Sequence, residues 1–570
     1  MRRRACPNAD ALPASLHPVL RRIYAARGVT ESELPLELKH LLPPKALKGI
    51  AAAVALLEDA LRRGRCIVIA GDYDADGATS TTLAVLALRA LGASSVGYVV
   101  PDRFRMGYGL SSALAELAAQ QGAELLVTVD NGIASLAGVA RAKQLGMDVL
   151  ITDHHLAVPE LPAADVIVNP NQPGCGFQSK HLAGVGVMFY LLLALRARLR
   201  ESGWFAARAE PNLADYLDLV ALGTVADVVR LDYNNRILVQ QGVARIRAGR
   251  ARPGLLALLE AAGRKPADVT ATDLGFVLGP RINAAGRLED MRIGIECLLS
   301  DSAAPALELA RKLDRLNRER REIETQMKDE ALQFVAETGT DIGTGVCLFD
   351  PGWHEGVVGL VASRIKEKLH RPAIAFARAA ESGLLKGSGR SIPGLHIRDA
   401  LAAVDARHPG LIERFGGHAM AAGLTLPEVH YEAFRSAFDE VCASWLDAAQ
   451  LEQVLETDGE LSPAELNIET AKVLEQAGPW GQGFPEPLFE NEFEVVDARL
   501  VGATQTHVKY RLRGSNGTAL AAMDFGGVER IQKRGTLRLV YRIAVNRWQG
   551  NESLDLHIVD LQPGGNAQAR

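Results

Sequence analysis

The sequence predicts an α/β protein: a doubly wound parallel sheet, a long connecting helix, a second α/β domain and a small all-β domain. Three observations predict it. Between Cys66 and Thr152 short apolar runs alternate with helical stretches of 10–13 residues. Lys312 to Glu337 is a densely charged helical stretch, including Arg318, Glu319, Arg320, Arg321, Glu322 and Glu324. After about Glu456 the pattern turns to short alternating segments, such as Leu537 to Val545, separated by Gly and Asn turns.

The elements follow in order. Cys66 to Ala70 reads as a strand, and Thr79 to Leu91 as a helix closed by Gly92. Val96 to Val100, Glu124 to Val129 and Asp148 to Thr152 are further strands, with helices over Ser111 to Gln121 and Ser135 to Leu145. These strands are continuously apolar, as expected when helices cover both faces of a sheet. Residues 1–60 form a proline-punctuated lead-in, 61–240 the first domain, and 241–340 a mostly helical connector. Strand and helix alternate again over residues 341–448, and residues 455–565 read as the β domain, a barrel or sandwich.

A chain of 570 residues, 48% hydrophobic and 23% charged, is long enough for several buried cores. Its net charge of −5 announces no global positive field. Residues 501–570, however, hold ten Lys or Arg against five Asp or Glu, a basic domain on an acidic body. The six cysteines are far apart with no CxxC pair, which argues against a zinc ribbon or disulfide framework and suits a reducing cytosol. No 18-residue apolar run occurs, and no apolar stretch follows the basic Met1–Cys6 start. The expectation is a soluble, cytoplasmic protein with no membrane partner.

The chemistry-bearing residues sit where strands stop. Gly71-Asp-Tyr-Asp-Ala-Asp-Gly77 places aspartates at 72, 74 and 76. On an extended backbone residues i and i+2 point the same way, so their charges repel unless a cation lies between them. One such cluster is also explained by an Asp/Gly turn before a helix, with Asp76 as a cap. The pattern recurs in Val129-Asp130-Asn-Gly and in Asp153-His154-His155, and Asp227 closes Gly223-Thr-Val-Ala-Asp. A parallel sheet aligns such tips along one edge, where ligands bind. Mixed carboxylate and imidazole donors suit Mn²⁺, with Mg²⁺ tolerated. Five or six ligands exceed the needs of one ion and suit two ions bridged by a carboxylate.

These strings resemble the DHH phosphoesterase superfamily, and within it the single-strand-specific exonucleases of bacteria. Further matching strings span nearly the whole chain: Gly107-Tyr-Gly-Leu, Gly279-Pro-Arg-Ile-Asn-Ala-Ala-Gly-Arg287, Trp353-His-Glu-Gly, Ser388-Gly-Arg-Ser391, Gly416-Gly-His-Ala-Met-Ala-Ala-Gly423 and Pro485-Glu-Pro-Leu-Phe489. The resemblance names the domains as DHH, DHHA1 and an OB-fold barrel. It implies that Asp74 binds one ion, Asp76 the other, and Asp130 bridges, with His154 and Asp227 completing the ligands of the second ion. The family has a ligand histidine four residues before the first ligand aspartate. Ala70 stands there, leaving Asp72 or a water for that place. Asp153 is expected to orient an imidazole, and His155 to face the scissile phosphate.

Arg281, Asn283 and Arg287 read as a loop-like Gly/Ala-rich segment, and Ser388, Arg390, Gly417 and His418 as a second polar set beside glycines. A lone arginine is usually a solvated surface residue, but grouped arginines offer forked donors to phosphate. Arg103, in Pro101-Asp-Arg-Phe-Arg105, is a candidate for a 5′-phosphate pocket. Trp353 and His354 read as packing, and Gly184-Val-Gly186 as a helix start rather than a dinucleotide loop. Phe525, Tyr541 and Trp548 lie among the basic residues of the β domain, where aromatics more often form core than stacking platform.

The implied activity is hydrolysis of single-stranded DNA, 5′→3′, to mononucleotides in DNA repair and recombination. Implied partners are a single-strand-binding protein and a helicase. Two alternatives stand beside it: a phosphodiesterase of short oligonucleotides or cyclic dinucleotides, and a non-catalytic single-strand binder. The added basic β domain weighs against the first, and the intact acidic set against the second.

Overall fold

A computed structural model describes residues 1–103, 106–338, 343–379, 383–548 and 550–564. Arg105 and Arg570 fall outside these residues, as does the Trp548 side chain. The first sheet has five parallel strands in the spatial order Ser95–Val99, Cys66–Ala70, Leu125–Val129, Asp148–Thr152, Val166–Val168. The last of these is an addition to the predicted set; its three residues carry no sequence period of their own. Helices Ala75–Ala90, Ser112–Gln120 and Leu136–Gln144 connect the others. The first begins four residues earlier than the apolar pattern suggests, because Asp74 caps it by accepting the Gly77 amide at 2.9 Å.

The segment from Gly184 onward is mostly helical, as expected, and a core of buried aliphatic residues joins it to the parallel sheet. The charged connecting helix runs Ala303–Thr338. It is less solvated than its charge suggests. Leu313 and Leu316 belong to the core of the first lobe, while Met327 and Ala331 belong to that of the second. Its charges are partly internal: Asp314 pairs with Arg281 at 2.8 Å, and Glu324 with Arg320 and Arg364. One helix packed into two cores fixes the lobes that face each other across the site.

The second lobe is a five-stranded mixed sheet in the order Arg414–Gly417, Ala421–Pro427, Leu384–Arg390, Ala373–Arg378, Val346–Phe349. Trp353 is buried there and its Nε1 donates to Glu330 Oε2 at 2.9 Å, a packing role as read from the sequence. The C-terminal domain is a closed five-stranded barrel ordered Phe489–Val501, His507–Arg513, Ala519–Asp524, Asn551–Pro563, Gly535–Trp548. Tyr541 is core, whereas Phe525 is exposed. The lead-in is more than a lead-in. Val19, Leu20 and Ile23 of helix Pro18–Ala26 complete the barrel core, and helix Ile50–Arg63 packs on the first lobe. Among the described residues no single helix is long and apolar enough to cross a membrane.

Candidate metal centre

Asp72, Asp74 and Asp76 follow the strand Cys66–Ala70, Asp130 follows Leu125–Val129, and Asp153 to His155 follow Asp148–Thr152. Asp227 arrives differently. It caps the C-terminal end of helix Leu217–Ala226 instead of a strand. The structure gathers all of these side chains except Asp153 into adjoining sets with potential ligand atoms within 4.8 Å of one another: Asp72, Asp74 and Asp130; Asp76, His154 and Asp227; and Asp130 with His154 and His155. Asp130 and His154 each belong to two sets.

The donor set fits divalent cations. Asp72 Oδ1, Asp130 Oδ1 and His154 Nε2 are buried with no hydrogen-bond partner among the described residues. His154 Nε2 lies 3.0 Å from Asp130 Oδ1 and 3.5 Å from Asp227 Oδ2 without a hydrogen bond to either, as lone pairs aimed at one point would. Burial, and then mutual repulsion, raises the acids. Asp76 is pushed up to about 7 by burial and by Asp227, and Asp227 to about 8 by burial and by Asp74. Asp72 and Asp130 move up for the same reasons. Burial, aided by His155, lowers His154 and keeps its imidazole neutral, the ligating form.

These shifts set a pH dependence. Carboxyl groups raised in the folded state contribute stability below their unfolded values, near pH 4, which is lost as pH rises through about 7 for Asp76 and about 8 for Asp227. Cation binding requires the ionised forms and removes the repulsion. The rise in melting temperature that Mn²⁺ gives over EDTA is therefore expected to be small near about pH 5.5 and large near about pH 8. Thermal denaturation in both conditions checks it; an equal Mn²⁺ shift at both pH values would contradict the assignment.

Several groups hold this set in place. The Gly184 and Val185 amides donate to Asp76 Oδ2 at 2.6 Å and Oδ1 at 3.0 Å, so the start of helix Gly184–Glu201 cradles the carboxylate. Asn283 Oδ1 accepts the Ala75 amide at 2.7 Å. Asp130 adopts a left-handed φ of 62°, unusual for a non-glycine residue, and Thr128 Oγ1 braces that turn by donating to Asn131 O at 2.7 Å. Asp153 Oδ1 accepts from the His154 and His155 amides and from His155 Nδ1 at 2.7 Å, so the ring it orients is that of His155. Against the pull of burial, His155 draws Asp153 down to about 2, and Asp153 in turn raises His155 to about 9.

The second lobe closes over this edge. His418 stacks on His155 with ring centroids 5.7 Å apart, and Tyr108 meets His155 edge-on. Arg103, Arg287 and Arg390 converge beside the acids. Burial first, and then Arg103 and Arg390, lower Arg287 to about 9, while Arg103 acts on Asp72. Three guanidinium groups this close repel one another unless an anion lies among them. Arg103 also stacks over Tyr73, 4.7 Å from its centroid. Arg390 donates to Ser388 Oγ at 3.1 Å, and Gly417, at φ 142°, has no room for a Cβ against Ala421 and Ala422.

The loop expected around Arg281, Asn283 and Arg287 is instead helix Gly279–Leu288, entered through a π-helical turn at Leu274–Leu278. It reaches the site because Gly286 passes Tyr73 O at a distance no side chain allows. A helix also separates the three residues. Arg287 faces the arginine cluster and Asn283 the Asp-rich loop, whereas Arg281 points to Asp314 and Val277 O. The Gly184 and Val185 amides, read from the sequence as a helix start with no part in the site, and Tyr73 also belong to it. Nothing in their residue types marks them, although a glycine opening an apolar helix is the signal that fits.

Fold and site together define a metal-dependent phosphoesterase of the DHH type. The DHH family N-terminal domain matches residues 66–224, the DHHA1 domain residues 342–444, and the RecJ OB domain residues 457–560. The single-stranded-DNA-specific exonucleases RecJ of Dickeya dadantii (strain 3937) and Escherichia coli (strain K12) are 53% and 51% identical to this chain, each over 99% of both chains. The crystal structure of RecJ in complex with Mn²⁺ from Thermus thermophilus is 32% identical with a TM-score of 0.82, over 99% of this chain and 79% of that one. Its Mg²⁺ counterpart is 30% identical with a TM-score of 0.76, over 99% and 78% of the two chains. The chain belongs to the RecJ family.

Proposed function

We propose that this chain is an exonuclease that hydrolyses single-stranded DNA 5′→3′ to mononucleotides with two divalent cations, Mn²⁺ by preference and Mg²⁺ as a substitute. The supporting observation is a chain of adjoining ligand sets beside a cluster of three arginines: Asp130 with Asp72 and Asp74, His154 with Asp76 and Asp227, and Asp130 and His154 together with His155. Asp74, with Asp72 in the place of the absent histidine, and Asp130 would hold one cation; Asp76, His154, Asp227 and Asp130 the other. Cations held there supply an acidified water and neutralise charge gathering on the phosphate.

The chain's own groups do the rest. Arg103, Arg287 and Arg390 grip the terminal phosphate, with Ser388 and the Gly417–His418 turn on the facing lobe. His155, protonated through Asp153 and stacked on His418, donates a hydrogen bond to the reacting phosphate. Arg281 serves by bracing the helix that carries Asn283 and Arg287. The barrel holds the strand electrostatically, though not with its full formal charge: Arg513, Arg530, Arg538, Arg542 and Arg547 are already ion-paired. The single-strand-binding protein and helicase implied by the resemblance would supply the strand during repair and recombination.

The test is incubation with Mn²⁺ and 5′- or 3′-end-labelled single-stranded DNA, duplex DNA and a dinucleotide. Loss of the single strand only, with immediate release of the 5′ label, is expected. Turnover of the dinucleotide alone would select a small-substrate phosphodiesterase, and binding without turnover a non-catalytic protein. Removing residues 455–570 to test strand binding would strip the cover from Val19, Leu20 and Ile23. Lys509→Ala with Arg511→Ala in the intact chain is preferable, and is expected to weaken strand binding and flatten its salt dependence by about two.

A further inference from the structure

The turn that carries His154 and His155 leans on a loop, residues 169–183, that has no part in the chemistry above. Strand Val166–Val168 pairs with Asp148–Thr152, Val168 opposite Thr152, so the residues after the two strands leave the sheet side by side. Past the strand ends no ladder satisfies the backbone carbonyls of the histidines, and two asparagine amides take its place. Asn169 Nδ2 donates to His155 O at 2.9 Å, and Asn171 Nδ2 donates to His154 O at 2.6 Å. Asn169, fully buried, also holds its neighbour, since its Oδ1 accepts the Asn171 backbone amide at 2.7 Å.

Asn171 does more. Its side-chain amide has a second N–H, and Nδ2 also donates to Lys180 O at 3.2 Å. Lys180 stands shortly before Gly184, whose amide, with that of Val185, cradles Asp76. The Lys180 ammonium closes the loop between them, donating to Pro170 O at 2.7 Å and Cys175 O at 2.8 Å. One carboxamide therefore ties the backbone of His154 to the segment that holds Asp76. Both residues belong to the set Asp76, His154 and Asp227. Gln172, the next residue, ties the same loop to other carbonyls, those of Lys48 at 3.1 Å and Ile167 at 2.9 Å.

We propose that Asn171 is a positioning residue for the cation assigned to Asp76, His154 and Asp227, setting the imidazole of one ligand against the carboxylate of another. This rests on the two-cation reading above and deepens it. A neutral imidazole ligates through one lone pair, so a small turn of its backbone takes Nε2 off the ion, whereas a carboxylate has two oxygens to offer. A planar carboxamide with two donors in fixed directions suits the task, and an apolar side chain in its place leaves two carbonyls unpaired. The cation assigned to Asp72, Asp74 and Asp130 draws no ligand from this turn.

The test compares wild type, Asn171→Leu and Gln172→Leu in the full chain. Both variants exchange a carboxamide for an apolar side chain and free the same loop, but only the first releases a histidine. After circular dichroism in EDTA has shown each chain to be folded, titration calorimetry with Mn²⁺ is expected to count two ions on wild type. Asn171→Leu should weaken one ion by about 10-fold or more and leave the other within about twofold. Gln172→Leu should bind both as wild type does. The Mn²⁺ concentration for half-maximal strand turnover should rise in parallel for Asn171→Leu, and excess Mn²⁺ should restore kcat to within about threefold. Asn171→Ala carries the same expectation at smaller size, because a water can enter, and answers for the position should the leucine variant not fold. Unchanged Mn²⁺ affinity in the Asn171 variants, an equal loss in Gln172→Leu, or turnover that excess Mn²⁺ does not restore overturns the proposal. Fewer than two ions on wild type would instead reject the two-cation reading itself.

Discussion

Asp130→Ala is expected to lower single-strand hydrolysis by about 1000-fold or more while leaving strand binding within about threefold. Asp130 belongs to the Asp72–Asp74 set and lies 3.0 Å from His154 of the Asp76–Asp227 set, so its loss would disturb both proposed cation positions together. Its buried Oδ1 has no hydrogen-bond partner among the described residues, and the arginines proposed to grip the strand lie on other segments. Asp130→Asn separates charge from backbone effects. Asparagine tolerates the left-handed φ of 62° that alanine resists, so equal losses in both variants assign the effect to the missing charge. Turnover of end-labelled strand in Mn²⁺, beside fluorescence anisotropy of the same strand in EDTA, reads the two quantities. Full turnover by either variant would remove Asp130 from the centre; a collapse of binding in EDTA, where no cation is present, would mean that Asp130 shapes the strand-binding surface itself.

How much of this is legible in the sequence divides along physical lines. Strands buried on both faces need continuous apolar runs, so Cys66–Ala70, Leu125–Val129 and Asp148–Thr152 can be read within a residue or so. Acids at the tips of such strands are conspicuous because carboxylates there need a reason to be buried, and Asp72, Asp74, Asp76, Asp130 and the Asp153–His155 run stand out accordingly. Helix starts are harder. Asp74 displaces the start of its helix by capping it, and Gly- and Ala-rich composition disguises Gly279–Leu288 as a loop although tertiary packing against Tyr73 requires a helix. What residue type cannot show is which atom a backbone amide reaches. The cradle of Asp76 by Gly184 and Val185, and the turn of Arg281 away toward Asp314, depend on how distant segments cross. Lys and Arg counts in the barrel mislead for the same reason, since cross-strand acids such as Glu490 and Glu494 consume part of the charge.

That cradle carries the second large prediction. A Cβ on Gly184 would lie 2.5 Å from Asp130 Cβ and 2.8 Å from Asp130 Cα, and neither can yield as the end of a flexible chain can. Relief requires helix Gly184–Glu201 to retreat, which lengthens the amide bonds to Asp76, or the strained Asp130 turn to shift, which moves the shared ligand. Either way both ligand sets lose register from one added methyl group. Gly184→Ala is therefore expected to weaken Mn²⁺ binding by about 10-fold or more and turnover by about 100-fold, as when groups that orient ligands are lost. Gly186→Ala, in the same first turn of that helix, is the contrast. Its Cβ would meet Leu182 Cδ2 at 3.2 Å, the movable tip of a side chain, and near-normal binding and turnover are expected. Titration calorimetry with Mn²⁺, circular dichroism and the strand assay on both variants separate a displaced centre from a misfolded chain. Gly184→Ala with unchanged Mn²⁺ affinity would show that the acids find their cations without the close approach of this helix, and would leave the two amides as helix caps only.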